Sequence, residues 1–209
     1  MDPRWQHPFT CMVAGPTSCG KTEWVKKFVR HLSRMMVPIP QDIVWYYGGA
    51  WQKGYEDLRD FGVRFEEGLP DIETLKNVND KRRLLILDNL MHDADARIVQ
   101  LFTKGSHHQN TSVMYLVQNV FDRHKDHRTI SLNSHYMVLF KNPRDATQVR
   151  VLAQQMYPGE EKYFKDSFKE ATSVPYGYLV VDLRQDTPDH LRLRTGLFNK
   201  LGQFVYVQK

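Results

Sequence analysis

The densest chemistry in the sequence sits near its start. Gly15-Pro16-Thr17-Ser18-Cys19-Gly20-Lys21-Thr22 fits G-x-x-x-x-G-K-[ST], placed after an apolar strand and opening an amphipathic helix. The residue types follow from what a phosphate needs. Glycines let backbone N–H groups close round it without a side-chain clash. A helix N-terminus adds unpaired donors and the positive end of a dipole. Lys21 is placed to reach the β/γ oxygens of ATP, and the Thr22 hydroxyl to ligate Mg²⁺. Cys19 reads as a small space-filler in this loop rather than a nucleophile.

Such a loop needs an acid on a neighbouring strand. Leu84-Leu85-Ile86-Leu87-Asp88 supplies one at the strand's C-terminal end, the edge where open α/β sheets bind ligands. Asp88 would hold Mg²⁺ through water. The next position in additional-strand ATPases usually carries a second acid that polarises the attacking water; here it is Asn89. An amide positions water but cannot accept its proton. Hydrolysis is then slow, or Asp93, Asp95 or Glu23 supplies the base. Gln118 follows the apolar run Ser112–Val117 and fits a sensor of the γ-phosphate.

Three basic stretches follow elements expected to point to one sheet edge: Lys104 to His108, Arg123 to Arg128, and Lys141 to Arg144. They suit solvated loops, or a charged rim facing a neighbouring subunit's nucleotide or nucleic-acid phosphates. His107-His108 has no acid or cysteine at ligand spacing, so no metal is expected there.

These residues must be positioned by short apolar segments alternating with helical patterns, which implies a mostly parallel α/β sheet. Strands are expected at Phe9–Ala14, Ile43–Tyr47, Leu84–Leu87, Ser112–Val117 and Tyr136–Phe140, with Val63–Phe65 a short extra one. Helices are expected at Thr22 to about Leu32, Ala94–Lys104, from the capping residue Asp145 to Met156, and Glu160–Ala171. The end reads as strands: Tyr178–Leu183, Leu191–Arg194 and Phe204–Val207. No repeat or linker interrupts the pattern, so one P-loop ATPase domain over 1–209 is expected.

Composition is that of a globular chain: 209 residues, 41% hydrophobic and 25% charged. Lys+Arg 29 against Asp+Glu 24 gives +5, which permits a polyanionic partner without requiring one. Cys11 and Cys19 alone make no disulfide framework, which suits a reducing compartment. The opening MDPRWQHPFT carries no apolar run behind a basic flank, so no secretory leader is expected. The longest apolar runs, such as Val113–Val117, reach five residues, far short of the roughly 20 of a membrane helix.

Several segments together carry a resemblance. HPFTCMVAGPTSCGKT, IVWYYGG, LLILDNLM, LFTKGSHHQNTSVMYLVQNVF, RTISLNSHYMVLFKNPRD and PYGYLVVDLR occur in that order. They resemble the genome-packaging ATPases of polintons (Maverick elements) and adintovirus-like viruses. That family belongs to the FtsK/HerA superfamily and is similar to the packaging ATPases of poxviruses. The resemblance spans roughly residues 7–198. It implies a RecA-like core with strand order 5-1-4-3-2 and helices flanking the sheet. It also implies a ring of subunits driving double-stranded DNA into a capsid, with portal or vertex proteins as partners, inside the host cell or the virion. It carries Gly15–Thr22 over as Walker A, Asp88 as the Walker B metal acid and Gln118 as the sensor. There are two departures. Relatives commonly read Asp-Asp at Asp88-Asn89, and related packaging ATPases often read Gly-Arg-His at Gly105-Ser106-His107. An inter-subunit arginine is thus missing, leaving Arg128, Arg144 or Lys104 to substitute.

The expected function is an ATP-driven DNA-packaging motor. Two other readings share the P-loop: a nucleotide kinase, and a degenerate family member that binds ATP and hydrolyses it poorly.

Overall fold

The computed structural model describes residues 2–76, 81–90, 96–105, 110–121, 125–200 and 202–208. A small parallel pair, β1 (Trp5–Gln6) with β3 (Met36–Val37), flanks a nine-stranded sheet. In that sheet β2 (Thr10–Ala14), β4 (Asp42–Tyr47), β5 (Val63–Glu67), β6 (Arg83–Asp88), β7 (Thr111–Val117) and β8 (Tyr136–Phe140) run parallel, in the order β8-β2-β7-β6-β4-β5. Beyond β8, the strands β9 (Tyr178–Asp182), β10 (Leu193–Thr195) and β11 (Phe204–Tyr206) add on antiparallel. The five core strands therefore follow the 5-1-4-3-2 order implied by the resemblance. The short Val63–Phe65 segment becomes the parallel edge strand β5.

Strands covered on both faces need apolar residues at successive positions, and β2, β6, β7 and β8 are buried throughout. Alternate residues serve opposite faces. Met12, Leu85, Leu87, Val113, Tyr115 and Leu139 pack under α4 (Ala96–Gln100), α5 (Lys125–Leu132), α6 (Thr147–Met156) and α7 (Glu161–Ala171), through Ile98, Ile130, Leu152 and Phe164. Cys11, Val13, Ile86, Met114 and Val138 pack on the other face against α1 (Lys21–Arg30), whose Trp24, Val25, Phe28 and Val29 form its inner stripe. Trp5 joins that layer, its ring stacked on Tyr136 at 4.1 Å, and ties the start of the chain to the core.

Local differences from the sequence reading have identifiable causes. The first helix ends at Arg30 rather than near Leu32; His31 turns its Nδ1 to the Lys27 carbonyl, and Leu32 belongs to a separate turn, α2 (Leu32–Met35). The helix expected from Asp145 begins at Thr147, whose N–H is held by the Asp145 carboxylate at 2.9 Å. Of the helix expected over Ala94–Lys104, the described part is α4 from Ala96 followed by a π turn over Leu101–Gly105; Ala94 and Asp95 lie outside the described residues. Lys125–Asp126-His127-Arg128, read as part of a basic loop, is helical, because Ile130 behind it packs into the core. A 3₁₀ segment over Lys53–Phe61 had no counterpart in the sequence reading. It buries Tyr55 and Leu58, three residues apart, as its three-residue turn dictates. A short helix over Ile72–Lys76 (α3) was likewise not foreseen.

Candidate functional site

The phosphate-type loop leaves β2 at the centre of the sheet, between β7 and β8, and ends on α1. Gly15 begins it with an N–H donated to the Val117 carbonyl at 3.1 Å. A Cβ there would lie 2.6 Å from Cys19 Sγ and 2.7 Å from Phe140 Cβ, so only glycine allows the chain to turn this tightly. Gly20 takes φ 102 as the residue before α1, leaving the first helical N–H groups pointing out of the sheet edge.

The side chains then converge. Lys21 Nζ donates to the carbonyls of Gly15 (2.6 Å) and Pro16 (3.0 Å), which folds its ammonium back over the loop. Thr22 Oγ1 donates to Asp88 Oδ2 at 3.1 Å, although 66 residues separate them. The same carboxylate oxygen accepts the Tyr55 hydroxyl at 3.0 Å. Asp88 is buried, and burial pushes its carboxyl above the ordinary range, against the pull of the Tyr55 and Thr22 hydroxyls and the Lys21 charge. A desolvated carboxylate beside a hydroxyl is a pair of hard oxygen donors that suits Mg²⁺. Burial likewise pushes the Cys19 thiol up, so it stays a protonated filler.

Thr17, Ser18, Gly20, Lys21, Thr22, Asp88, Asn89 and Gln118 line one cavity of about 760 Å³. Gln118 also borders a second cavity, of about 490 Å³ on the α6 side, which Gly15 lines with it. Gln118 stands directly beyond β7, between the loop strand β2 and the Asp88 strand β6. Asn89 adopts left-handed backbone (φ 57), and its Nδ2 donates to the Gly48 carbonyl at 2.8 Å. Its amide thus clasps the tips of β6 and β4, with the carbonyl oxygen as the end left for other partners. Among the alternative acids, Glu23 lines the cavity and pairs with Lys26 at 2.7 Å. Asp93 and Asp95 lie outside the described residues, as do Ser106, His107, His108 and Arg123.

Arg128 and Arg144 do not join this cavity. Arg128 is exposed on α5, and Arg144 is exposed in the turn after β8, its N–H held by Asn142 Oδ1. Among the described residues no group of three or more His, Cys, Asp or Glu is arranged to hold a metal, and no helix is long and apolar enough to cross a membrane.

Tyr55 was missed by sequence reasoning. It lies 33 residues before Asp88, in a segment without helix or strand periodicity. An aromatic wall on the far side of the cavity was missed as well: Trp24, Tyr176, Tyr178 and Phe198. Trp24 carried a signal as part of the α1 stripe and Tyr178 as the first residue of an expected strand, and both signals pointed to the core.

No protein-family model matches the sequence, and no curated protein matches it. Solved structures do match its fold. The genome packaging NTPase B204 from Sulfolobus turreted icosahedral virus 2, in complex with ATP-gammaS, superimposes with a TM-score of 0.60 at 15% identity, over 90% of this chain and 96% of that one. The same NTPase with sulfate gives 0.57 at 15% identity, covering 90% and 95%, and with AMPPCP 0.56 at 14%, covering 90% and 96%. At such identity the likeness is one of architecture: the chain has the mixed α/β fold of these P-loop NTPases, with a large, mostly parallel sheet between helices.

Proposed function

We propose that this protein is an ATP-driven motor that moves double-stranded DNA into a viral capsid, of the polinton and adintovirus-like packaging kind. The observation that carries the reading is the meeting of Thr22, Asp88 and Lys21 at one cavity, on a fold shared with a packaging NTPase solved with ATP-gammaS. In this reading the N–H groups of Thr17 to Thr22 cradle the phosphates. Lys21 leaves its loop carbonyls for the β/γ oxygens. Thr22 and Asp88 hold Mg²⁺, which supplies the positive charge that offsets the triphosphate. Gln118 faces the γ-phosphate, and the Asn89 carbonyl oxygen orients water without taking its proton. Arg128 and Arg144, exposed and outside their own cavity, suit a role at a neighbour's nucleotide in a ring, or on DNA phosphates. A capsid portal or vertex protein is the expected docking partner, within the host cell or the virion.

A second reading, an ATP-binding relative with little turnover, is favoured by Asn89, whose amide is committed to Gly48. ATP hydrolysis with and without duplex DNA, in wild type and Lys21→Ala, separates the readings. DNA-stimulated turnover lost in Lys21→Ala supports the motor. Tight ATP binding without turnover supports the second reading. Equal ATP affinity in wild type and Lys21→Ala refutes the site itself.

A further inference from the structure

The cavity of the phosphate loop continues past Gly20 onto an aromatic surface, and one member of it stands apart. Trp24, Tyr178 and Phe198 pack on one another, with centroids 5.5 Å apart for Trp24 with Tyr178 and for Trp24 with Phe198. The Tyr178 hydroxyl accepts the Leu197 N–H at 2.9 Å. Tyr176 does none of this. The residue is 72% exposed, and among the described residues its ring packs on no other aromatic. Its Cδ1 lies 3.1 Å from where a Cβ on Gly20 would be, which places the ring beside the last turn of the phosphate loop.

The backbone makes this placement stranger. Val174-Pro175-Tyr176-Gly177 closes with the Gly177 N–H on the Val174 carbonyl at 3.0 Å, and Tyr176 has φ 59. A turn with proline second and positive φ third has the form of type II, whose third residue is ordinarily glycine or asparagine. Here a bulky aromatic holds that position while the glycine stands one place later. A left-handed conformation on a large side chain is a strained state that surrounding structure must sustain, and such states concentrate where a ligand is held. Nothing in the packing of the core accounts for it, since the ring is mostly in solvent.

We propose that Tyr176 is a stacking platform for the base of the bound nucleotide, and that it gives the site a preference for purine over pyrimidine nucleotides. The inference rests on the reading of Gly15–Thr22 as the phosphate site. A nucleotide whose phosphates lie on the loop has its base one sugar away, and the cavity leads from Lys21 and Thr22 to Tyr176 without a break. Stacking recognises the π-face common to all bases and grows with ring area, so a purine gains more than a pyrimidine. Alanine substitutions at base-stacking aromatics typically weaken binding by about tenfold or more.

The test is calorimetric binding of Mg-ATP, Mg-CTP and inorganic tripolyphosphate to wild type, Tyr176→Phe, Tyr176→Ala and Tyr176→Gly. Glycine is the telling variant, because φ 59 suits it and the turn is kept. Expected are a roughly tenfold weaker Kd for ATP in Tyr176→Gly and Tyr176→Ala, near wild-type affinity in Tyr176→Phe, and an ATP preference over CTP that collapses when the ring is gone. Tripolyphosphate should bind all four proteins alike. Unchanged ATP affinity in Tyr176→Gly, with tripolyphosphate binding intact, overturns the stacking role alone. Loss of tripolyphosphate binding in Tyr176→Gly also overturns it, since the ring would then act on the loop. Failure of wild type to bind either ligand refutes the phosphate site and the platform with it.

Discussion

Replacing Tyr55 by phenylalanine removes one oxygen and leaves the ring against Trp45, Trp51 and Phe65, at centroid distances of 5.3, 5.4 and 5.1 Å. What is lost is the donor to Asp88 Oδ2 at 3.0 Å. A hydrogen bond to a buried charged group contributes about 1.5–3 kcal/mol. The Thr22 hydroxyl stays on the same oxygen, so the lower half of that range applies, about 1.5–2 kcal/mol. For a chain of this size that is a fall in Tm of roughly 3–8 °C. The pH dependence has a definite sign. Burial already raises the folded-state Asp88 carboxyl above its unfolded value, so the ionised form is the disfavoured one in the fold. Without Tyr55 it rises further. The cost of the substitution is therefore full above the folded-state value of the variant and shrinks as pH falls and Asp88 takes a proton in both proteins. Urea unfolding in metal-free buffer over a pH series from 8 downward, for Tyr55→Phe, Asp88→Asn and the double variant, measures both effects. In the Asp88→Asn background the donor meets only a neutral amide, and its removal should cost about half as much. An equal cost in both backgrounds, or a cost that stays constant down the whole pH series, would falsify the claim that Tyr55 acts through the Asp88 charge.

Asn89→Asp should raise DNA-stimulated turnover at least about tenfold, below the 10²–10⁴ typical of a tuned general base, while costing about 1 kcal/mol of stability through the lost donor to Gly48; steady-state rates at matched oligomeric state check it, and a fast wild type with a neutral or slower variant places the base elsewhere. Arg194→Met should destabilise the fold by about 3–5 kcal/mol, because it strands Asp182 after the loss of a 2.6 Å buried ion pair. Burial holds the Asp182 carboxyl up even against Arg194, so this deficit should diminish as pH falls towards the unfolded carboxyl value; a deficit unchanged down to pH 4 in urea titrations refutes it. Duplex DNA should bind the monomer weakly, without sequence preference and with a steep salt dependence, since the net charge is +5 and Lys104, Arg128, Lys141 and Arg144 are exposed on separate elements; sequence-selective binding that survives high salt contradicts it.

Much of this site is written in short stretches of sequence. The loop from Gly15 to Thr22 can be read because strand, glycine turn and helix are local instructions, each set by neighbouring residues. Asp88 and Gln118 can be read for the same reason: each follows an apolar run, and parallel strands deliver such ends to one edge. The strand order came with the family resemblance rather than from spacing, and the sheet agrees with it.

Tertiary structure alone decided which side chains meet there. Tyr55 reaches Asp88 because a 3₁₀ segment between β4 and β5 folds over the sheet edge, and no periodicity marks a single inward tyrosine. Asn89 looks from its sequence position like a free group beside the water site, yet the Gly48 carbonyl at the tip of β4 takes its amide. Tyr176 sits in what reads as an ordinary Pro-Tyr-Gly turn, and only its φ and its ring against Gly20 mark it. Propensity and patterning act within a few residues, so they fix elements and the loop they carry. Contacts across 33, 41 or 66 residues depend on how those elements stack, which is settled by packing the two faces of the sheet.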